Sequence, residues 1–282
     1  MLQEINSDRN CRECGIDLSD RPRRPEYCSK KCREAPRFHG TFCETCGDEL
    51  LVRRGNKKNK KYCSDKCRYL ARHPDFNENF FVQPSLENCY WAGFIAADGC
   101  IIDSERGQRQ LLIFLKSTDR PHLEVFKSTI GGGSIYNGSN HDRRTGKTYY
   151  SCYYRVFSNK VCDDLAENFG VLPRKSLTHE PPELEGDLAR AFIAGYIDGD
   201  GCYWLDKGYP RIRIRGTKEV LHWISAEFNL SKSVWFDSGT HAIHFNGKDA
   251  VDIRKSFQDL NLPLLDRKKS RWEELGLNLS LL

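Results

Sequence analysis

Two short stretches of this 282-residue chain end the same way: "WAGFIAADG" (residues 91–99) and "IAGYIDGDG" (residues 193–201). Each is a run of apolar and small residues closed by an aspartate and a glycine, Asp98–Gly99 and Asp200–Gly201. A single Asp-Gly reads as a turn. Two copies behind small residues at four-residue spacing read differently. Gly93 and Ala97 share one helix face, as do Gly195 and Gly199, and small residues let two helices approach almost backbone to backbone. Packed along those faces, the helices bring Asp98 and Asp200 side by side at their C-terminal ends. There the helix dipole disfavours negative charge by about 0.3–1 kcal/mol, and two carboxylates sharing one site repel. A divalent cation relieves both problems. An oxygen-rich, incompletely enclosed site suits Mg²⁺ (or Mn²⁺), which keeps waters and takes phosphate oxygens.

A second chemistry is written in the cysteines, 13 in all. Eight form two sets, Cys11, Cys14, Cys28, Cys32 and Cys43, Cys46, Cys63, Cys67. Each set is C-x2-C, a spacer, then C-x3-C, and the flanking text repeats as "CRECG…EYCSKKCR" and "CETCG…KYCSDKCR". Four thiolates at such spacing suit tetrahedral zinc, so two structural Zn²⁺ ions are expected. Disulfides are the weaker reading, since the N-terminus has no secretory layout and the chain is expected inside the cell in a reducing compartment. Cys89, Cys100, Cys152, Cys162 and Cys202 show no ligand spacing and read as small apolar packing residues.

Charge follows the same division. Residues 1–80 hold 18 Lys+Arg against 13 Asp+Glu, and the remainder holds 26 of each, so the net +5 belongs to the cysteine-rich segment. It is densest in "RRGNKKNKKY" (residues 53–62), where Arg53, Arg54, Lys57 and Lys58 offer phosphate contacts. No run of about 18 apolar residues exists, so no membrane span is expected.

Beyond the motifs, the chain repeats itself at a longer period. "LKSTDRPHLEVF" (115–126) aligns with "IRGTKEVLHWI" (214–224), setting Lys116 against Arg215. "RVFSNKVCDDLAENFGVLPRKS" (155–176) aligns loosely with residues 243–270, setting Lys175 near Lys268 or Lys269. Each half patterns as helix, two strands, helix, two strands, helix. Ser85 and Asp187 are the expected N-caps of the two motif helices. In "PRIRIRGT" (210–217), Arg211, Arg213 and Arg215 share one strand face. Like charges in a row repel unless a polyanion lies over them. The expected architecture is α+β, with four-cysteine zinc modules at residues 1–38 and 39–76 and repeated halves at 85–178 and 187–276.

The two motifs resemble those of the LAGLIDADG homing endonucleases in their single-chain, two-motif form, over about residues 85–275. The second motif is a near match, whereas the first has Ala96 where Asp198 stands in the second. The resemblance implies two tandem αββαββα units related by a pseudo-two-fold axis, a monomer with an internal pseudo-dimer whose sheets form a saddle on double-stranded DNA. It implies that Asp98 and Asp200 hold the metal at the scissile phosphates, with a basic residue near each: Lys175, and Lys268 or Lys269. Metal-assisted phosphodiester hydrolysis at a long, non-palindromic site follows, read by Lys116, Arg211, Arg213 and Arg215. The alternatives on the same fold are a non-cleaving DNA-binding regulator, for which loss of the acids is the expected mark, and a maturase that binds intron RNA.

Overall fold

The computed structural model describes residues 10–21, 25–34, 38–53, 61–104 and 107–277. The chain divides after Pro74 into two units. The first holds α1 (Lys30–Glu34), an antiparallel hairpin of β1 (Phe38–Phe42) and β2 (Glu49–Arg53), and α2 (Asp65–Arg72). Ser64 caps α2, its Oγ accepting from the Cys67 N–H at 3.1 Å. One buried cluster here is only Cys43, Leu50 and Cys67, with Tyr62 and Cys63 against it. So small a cluster is of the kind that a cross-link or a metal commonly supports.

The second unit contains the repeat. Its first half runs α3 (Leu86–Asp98), β3 (Gly99–Asp103), β4 (Arg109–Lys116), α4 (Arg120–Ile130), β5 (Ser134–Asp142), β6 (Lys147–Phe157) and α5 (Asn159–Phe169). The second half repeats the order as α6 (Gly186–Asp200), β7 (Gly201–Asp206), β8 (Tyr209–Gly216), α7 (Lys218–Glu227), β9 (Trp235–Asp237), β10 (Thr240–Asn246) and α8 (Lys248–Lys255). A further helix, α9 (Asp266–Leu277), follows α8. Each half folds its strands into a four-stranded antiparallel sheet, in the orders β3-β4-β6-β5 and β7-β8-β10-β9. The fold is thus two αββαββα units.

Alternation sets the two faces of each sheet. Leu111 and Ile113 in β4, Tyr154 and Val156 in β6, and Ile212 and Ile214 in β8 point into the core. Their neighbours along each strand point outward. The motif helices are buried on every side along their centres, Asn88–Ala96 in α3 and Ala191–Asp198 in α6, as expected of helices hydrophobic all round.

Ser85 caps α3 in a reciprocal capping box, its N–H donating to Asn88 Oδ1 at 2.7 Å while its Oγ accepts from the Asn88 N–H. The expectation of Asp187 as the cap of α6 does not hold. The helix starts two residues earlier, at Gly186 behind Glu185, which makes no side-chain cap. Asp187 sits in the first turn instead, where its negative charge suits the dipole and its Oδ1 accepts from Arg190 at 3.1 Å.

Candidate active site at the joined helix ends

Glycine determines how closely α3 and α6 meet. A Cβ on Gly93 would lie 1.9 Å from the Phe192 carbonyl oxygen, and one on Gly195 would lie 1.9 Å from that of Tyr90. The two contacts are mirror statements of each other, since Tyr90 and Phe192 hold the same place in the two motifs. This exchange is the signature of a pseudo-two-fold axis between the helices. One turn further on, a Cβ on Gly199 would meet Ala97 Cβ at 2.2 Å. The helices therefore stay together to their C-terminal ends, where Asp98 and Asp200 follow immediately.

Those carboxylates are electrostatically uncomfortable. Asp98, half-buried, is pushed up to about 6, first by burial and then by the charge of Asp200. Asp200 reaches solvent by area, yet the protein packed around its carboxyl strips enough hydration to raise it too. Lys175, Lys268 and Arg215 pull it back.

Two buried lysines complete the cluster. Lys175 follows Arg174, which adopts the left-handed conformation (φ 59°), and opens a short 3-10 turn, Lys175–Leu177. It is 5% exposed, and its Nζ donates to the Gly99 carbonyl at 2.7 Å. Lys268, also 5% exposed, lies in the first turn of α9 and donates to the carbonyls of Ile197 (2.8 Å), Asp198 and Gly199 (2.9 Å). An ammonium at a helix C-terminus satisfies otherwise unpaired carbonyls and opposes the dipole. Burial lowers the pKa of both lysines, while Asp98 and Asp200 work to keep them charged. Lys269 is exposed on the other side of α9. Of the two residues the sequence offers for the second half, Lys268 is the one that points into the cluster.

Several neighbours are invisible in the sequence. Asp198, 3% exposed, accepts from Tyr90 Oη and from the Leu265 N–H, both at 2.8 Å. Tyr90 Oη in turn lies 3.2 Å from His122 Nε2, whose pKa burial pulls down to about 4, so the ring is neutral near pH 7. Arg267 donates to the buried Asp119 at 3.0 Å. Asp198 and Arg267 thus pin the start of α9, and with it Lys268, to the motif helices and to the segment before α4. Ala96 leaves the first half without that tie.

The outer sheet faces also depart from expectation. Lys116 is exposed at the end of β4. Arg211, Arg213 and Arg215 do share one face of β8, but not as unrelieved charge. Asp206 pairs with Arg211 at 2.5 Å, and Asp237 on β9 pairs with both Arg213 and Arg215. Register across β10 supplies the carboxylate that the strand itself lacks. Cys89, Cys152 and Cys162 pack in the core as expected, but Cys202 is exposed and Cys100 partly so. Both sit on outward positions just past the motif glycines, beside Arg213 and Leu112.

In the first unit, the four sulfurs of Cys11, Cys14, Cys28 and Cys32 lie within 4.8 Å of one another, as do those of Cys43, Cys46, Cys63 and Cys67. Near neighbours stand at 3.3–3.5 Å, close to the edge of about 3.8 Å that tetrahedral zinc–thiolate bonds of ~2.3 Å require. The Cys28 and Cys63 N–H groups donate to Cys11 Sγ and Cys43 Sγ. Both groups could hold a metal ion. Arg53 ends β2, whereas Arg54, Lys57 and Lys58 lie outside the described residues. Among the described residues, no helix is long and apolar enough to cross a membrane.

No family model matches the chain. It is 30% identical over 188 residues to an A-type ATP synthase subunit of Methanopyrus kandleri, a stretch covering 67% of this chain and 17% of that protein. The chain therefore spans under a fifth of that relative. Among solved structures it is similar to the LAGLIDADG meganuclease I-AabMI bound to uncleaved DNA, at 13% identity and TM-score 0.49 over 68% of this chain and 90% of that one. The LAGLIDADG homing endonuclease I-SmaMI bound to cleaved DNA gives 13% identity and TM-score 0.46, over 70% and 90%. The meganuclease I-CpaMI bound to uncleaved DNA gives 16% and 0.45, over 68% and 90%. These likenesses are distant. In its paired motifs, its doubled αββαββα order and its glycine-to-backbone helix seam, this chain resembles the LAGLIDADG homing endonucleases over about residues 85–275.

Proposed function

We propose that this chain is a site-specific endonuclease that makes metal-dependent double-strand breaks in DNA at a long, non-palindromic site. The observation that carries the proposal is the pair of aspartates at the joined ends of α3 and α6, each with a buried lysine beside it. The donor set fits a hard divalent cation: two carboxylates whose ionised forms are disfavoured by burial and, at Asp98, by the charge of Asp200. Bound there, Mg²⁺ or Mn²⁺ supplies a water of lowered pKa and offsets the charge that develops on a phosphate.

The chain's own residues divide the remaining work. Asp98 and Asp200 hold the cation, one from each helix. Lys175 and Lys268 hold positive charge beside two symmetry-related phosphates, one on each strand, in a site already short of water. Their carbonyl contacts fix each ammonium in place. Lys116, Arg211, Arg213 and Arg215 meet base edges and phosphates across the outer sheet faces. The four-cysteine modules, at residues 1–38 and 39–76, each take a structural zinc. They add phosphate contacts through Arg53, Arg54, Lys57 and Lys58. The halves at 85–178 and 187–276 act together as one monomer. Retention of both acids favours cleavage over the non-cleaving regulator.

The test is incubation of the purified chain with a plasmid library carrying a randomised insert, with Mg²⁺ or with EDTA, followed by sequencing of the cut ends. Cuts on both strands at one recurring site, absent in EDTA, support the proposal. Selective binding of a site without cutting in Mg²⁺ or Mn²⁺ moves the chain to the regulator, and preference for a structured intron transcript moves it to the maturase.

A further inference from the structure

The two outer sheet faces are chemically unlike. On the second half, β8 presents Arg211, Arg213 and Arg215, braced by Asp206 of β7 and Asp237 of β9, beside the rings of Trp204, His244 and Trp235 on the same face. The first half presents a longer row of rings, with Arg155 rather than three arginines among them. Phe114 (50% exposed), Tyr153 and Tyr136 stand side by side across β4, β6 and β5, by register Phe114 opposite Tyr153 and Tyr153 opposite Tyr136. Tyr149 (54% exposed) and Phe157 extend the row along β6. Arg155 lies over Tyr136 at 4.8 Å and over Phe157 at 5.3 Å.

How the rings stand decides what they can touch. Tyr136 and Tyr153 have centroids 5.1 Å apart at 21°, and Phe114 and Tyr153 are 5.2 Å apart at 30°. Near-parallel rings that close overlap face to face rather than lie flat beside one another. The facing sides of the three rings are used up against one another, and Arg155 covers Tyr136. Side chains that stand on the sheet and stack in this way present their ring edges outward, while the Tyr136 hydroxyl is engaged by Arg155 and Ser134. That disfavours a platform for unpaired bases, which needs free ring faces. It favours apolar edge contact in a major groove, where the only apolar group is the thymine methyl.

Resting on the DNA-cleavage reading above, we infer that the two halves read chemically different half-sites: the first recognises thymine methyls through the Phe114–Tyr153–Tyr136 row, and the second recognises guanines through Arg211, Arg213 and Arg215. The braces suit this division. A guanidinium whose carboxylate partner fixes its plane is preset for bidentate donation to guanine O6 and N7. A half-site under the rings gains from each buried methyl.

The experiment uses the full chain carrying Asp98→Asn, so that binding is measured without cutting. A bound site is first selected from randomised duplexes. Thymine is then replaced by uracil, and guanine by 7-deazaguanine, one half-site at a time. The expected result is that uracil weakens binding about fourfold per contacted methyl in one half-site only. Phe114→Ala with Tyr153→Ala should erase that sensitivity. Deazaguanine should weaken binding at least about fivefold in the other half-site only, and Arg213→Ala should erase that effect. A selected site insensitive to both replacements, or equally sensitive in both halves, overturns the inference and leaves DNA recognition standing. Failure to enrich any duplex overturns both together.

Discussion

Removing Asp98, one of the two paired acids at the joined helix ends, should stabilise the metal-free protein, and the pH dependence of that gain measures how strained the pair is. Asp98 stands at about 6 against an ordinary 3.8. Below 3.8 the carboxyl is protonated in both folded and unfolded chains and costs nothing. Between the two values the folded chain keeps a proton that the unfolded chain has lost, so stability falls as pH rises. Above 6 the group is ionised in both, and the full cost is present, about 3 kcal/mol at ~1.36 kcal/mol per pH unit. Partial exposure trims this to about 2–3 kcal/mol. Asp98→Asn removes the charge, so its advantage over the parent should be about 2–3 kcal/mol at pH 8 and shrink to roughly 0.5 kcal/mol at pH 4. Urea unfolding in Mg²⁺-free buffer, followed by tryptophan fluorescence, reads this cleanly. All five tryptophans (Trp91, Trp204, Trp223, Trp235, Trp272) lie after residue 75, so the cysteine-rich unit is silent. Adding Mg²⁺ should narrow the gap at pH 8 by stabilising the parent. A pH-independent gap, or a variant less stable than its parent at pH 8, would show that the Asp98 carboxylate is not strained where it sits.

Other outcomes follow from the same geometry. Gly195→Ala forces a methyl to 1.9 Å from the Tyr90 carbonyl. Backbone cannot yield as a side chain does, so urea unfolding should show a loss of at least about 2 kcal/mol. Lys268→Met should lower the cleavage rate about 100-fold or more under single turnover, whereas Lys269→Met should leave it within about twofold, because only the former reaches the helix-end carbonyls. Asp198→Ala should slow cleavage while leaving Kd for DNA unchanged, since that carboxylate acts by holding Leu265 and thereby Lys268. Purified protein should carry two zinc ions, and Cys14→Ser or Cys46→Ser should each remove one by elemental analysis.

Much of this arrangement is legible in the sequence where local periodicity suffices. Small residues four apart foretell the helix seam, and alternation in "PRIRIRGT" foretells which side of β8 is buried. The cysteine spacing likewise foretells two thiolate clusters. What escapes depends on register between segments distant in the chain. Asp237 neutralises Arg213 and Arg215 only because β9 and β10 fold back beside β8. The aromatic row needs the pairing of β4, β5 and β6, and each ring alone reads as an ordinary strand residue. The choice between Lys268 and Lys269 turns on the helical phase of α9, which begins at Asp266 without a clear start signal. Cys100 and Cys202 escape for a related reason. Each follows a glycine where helix passes directly into strand, so strand alternation turns it outward.

The role of the two aspartates is tested by one comparison: cleavage of the selected site in Mg²⁺ by the parent, by Asp98→Asn and by Asp200→Asn, with binding of each measured alongside. Double-strand cutting by the parent, lost in both variants while their DNA binding stays within about threefold, is the predicted result. Double-strand cutting that survives either substitution would mean that the two aspartates do not form one shared cleavage site, because such a site cannot work with one of its acids gone.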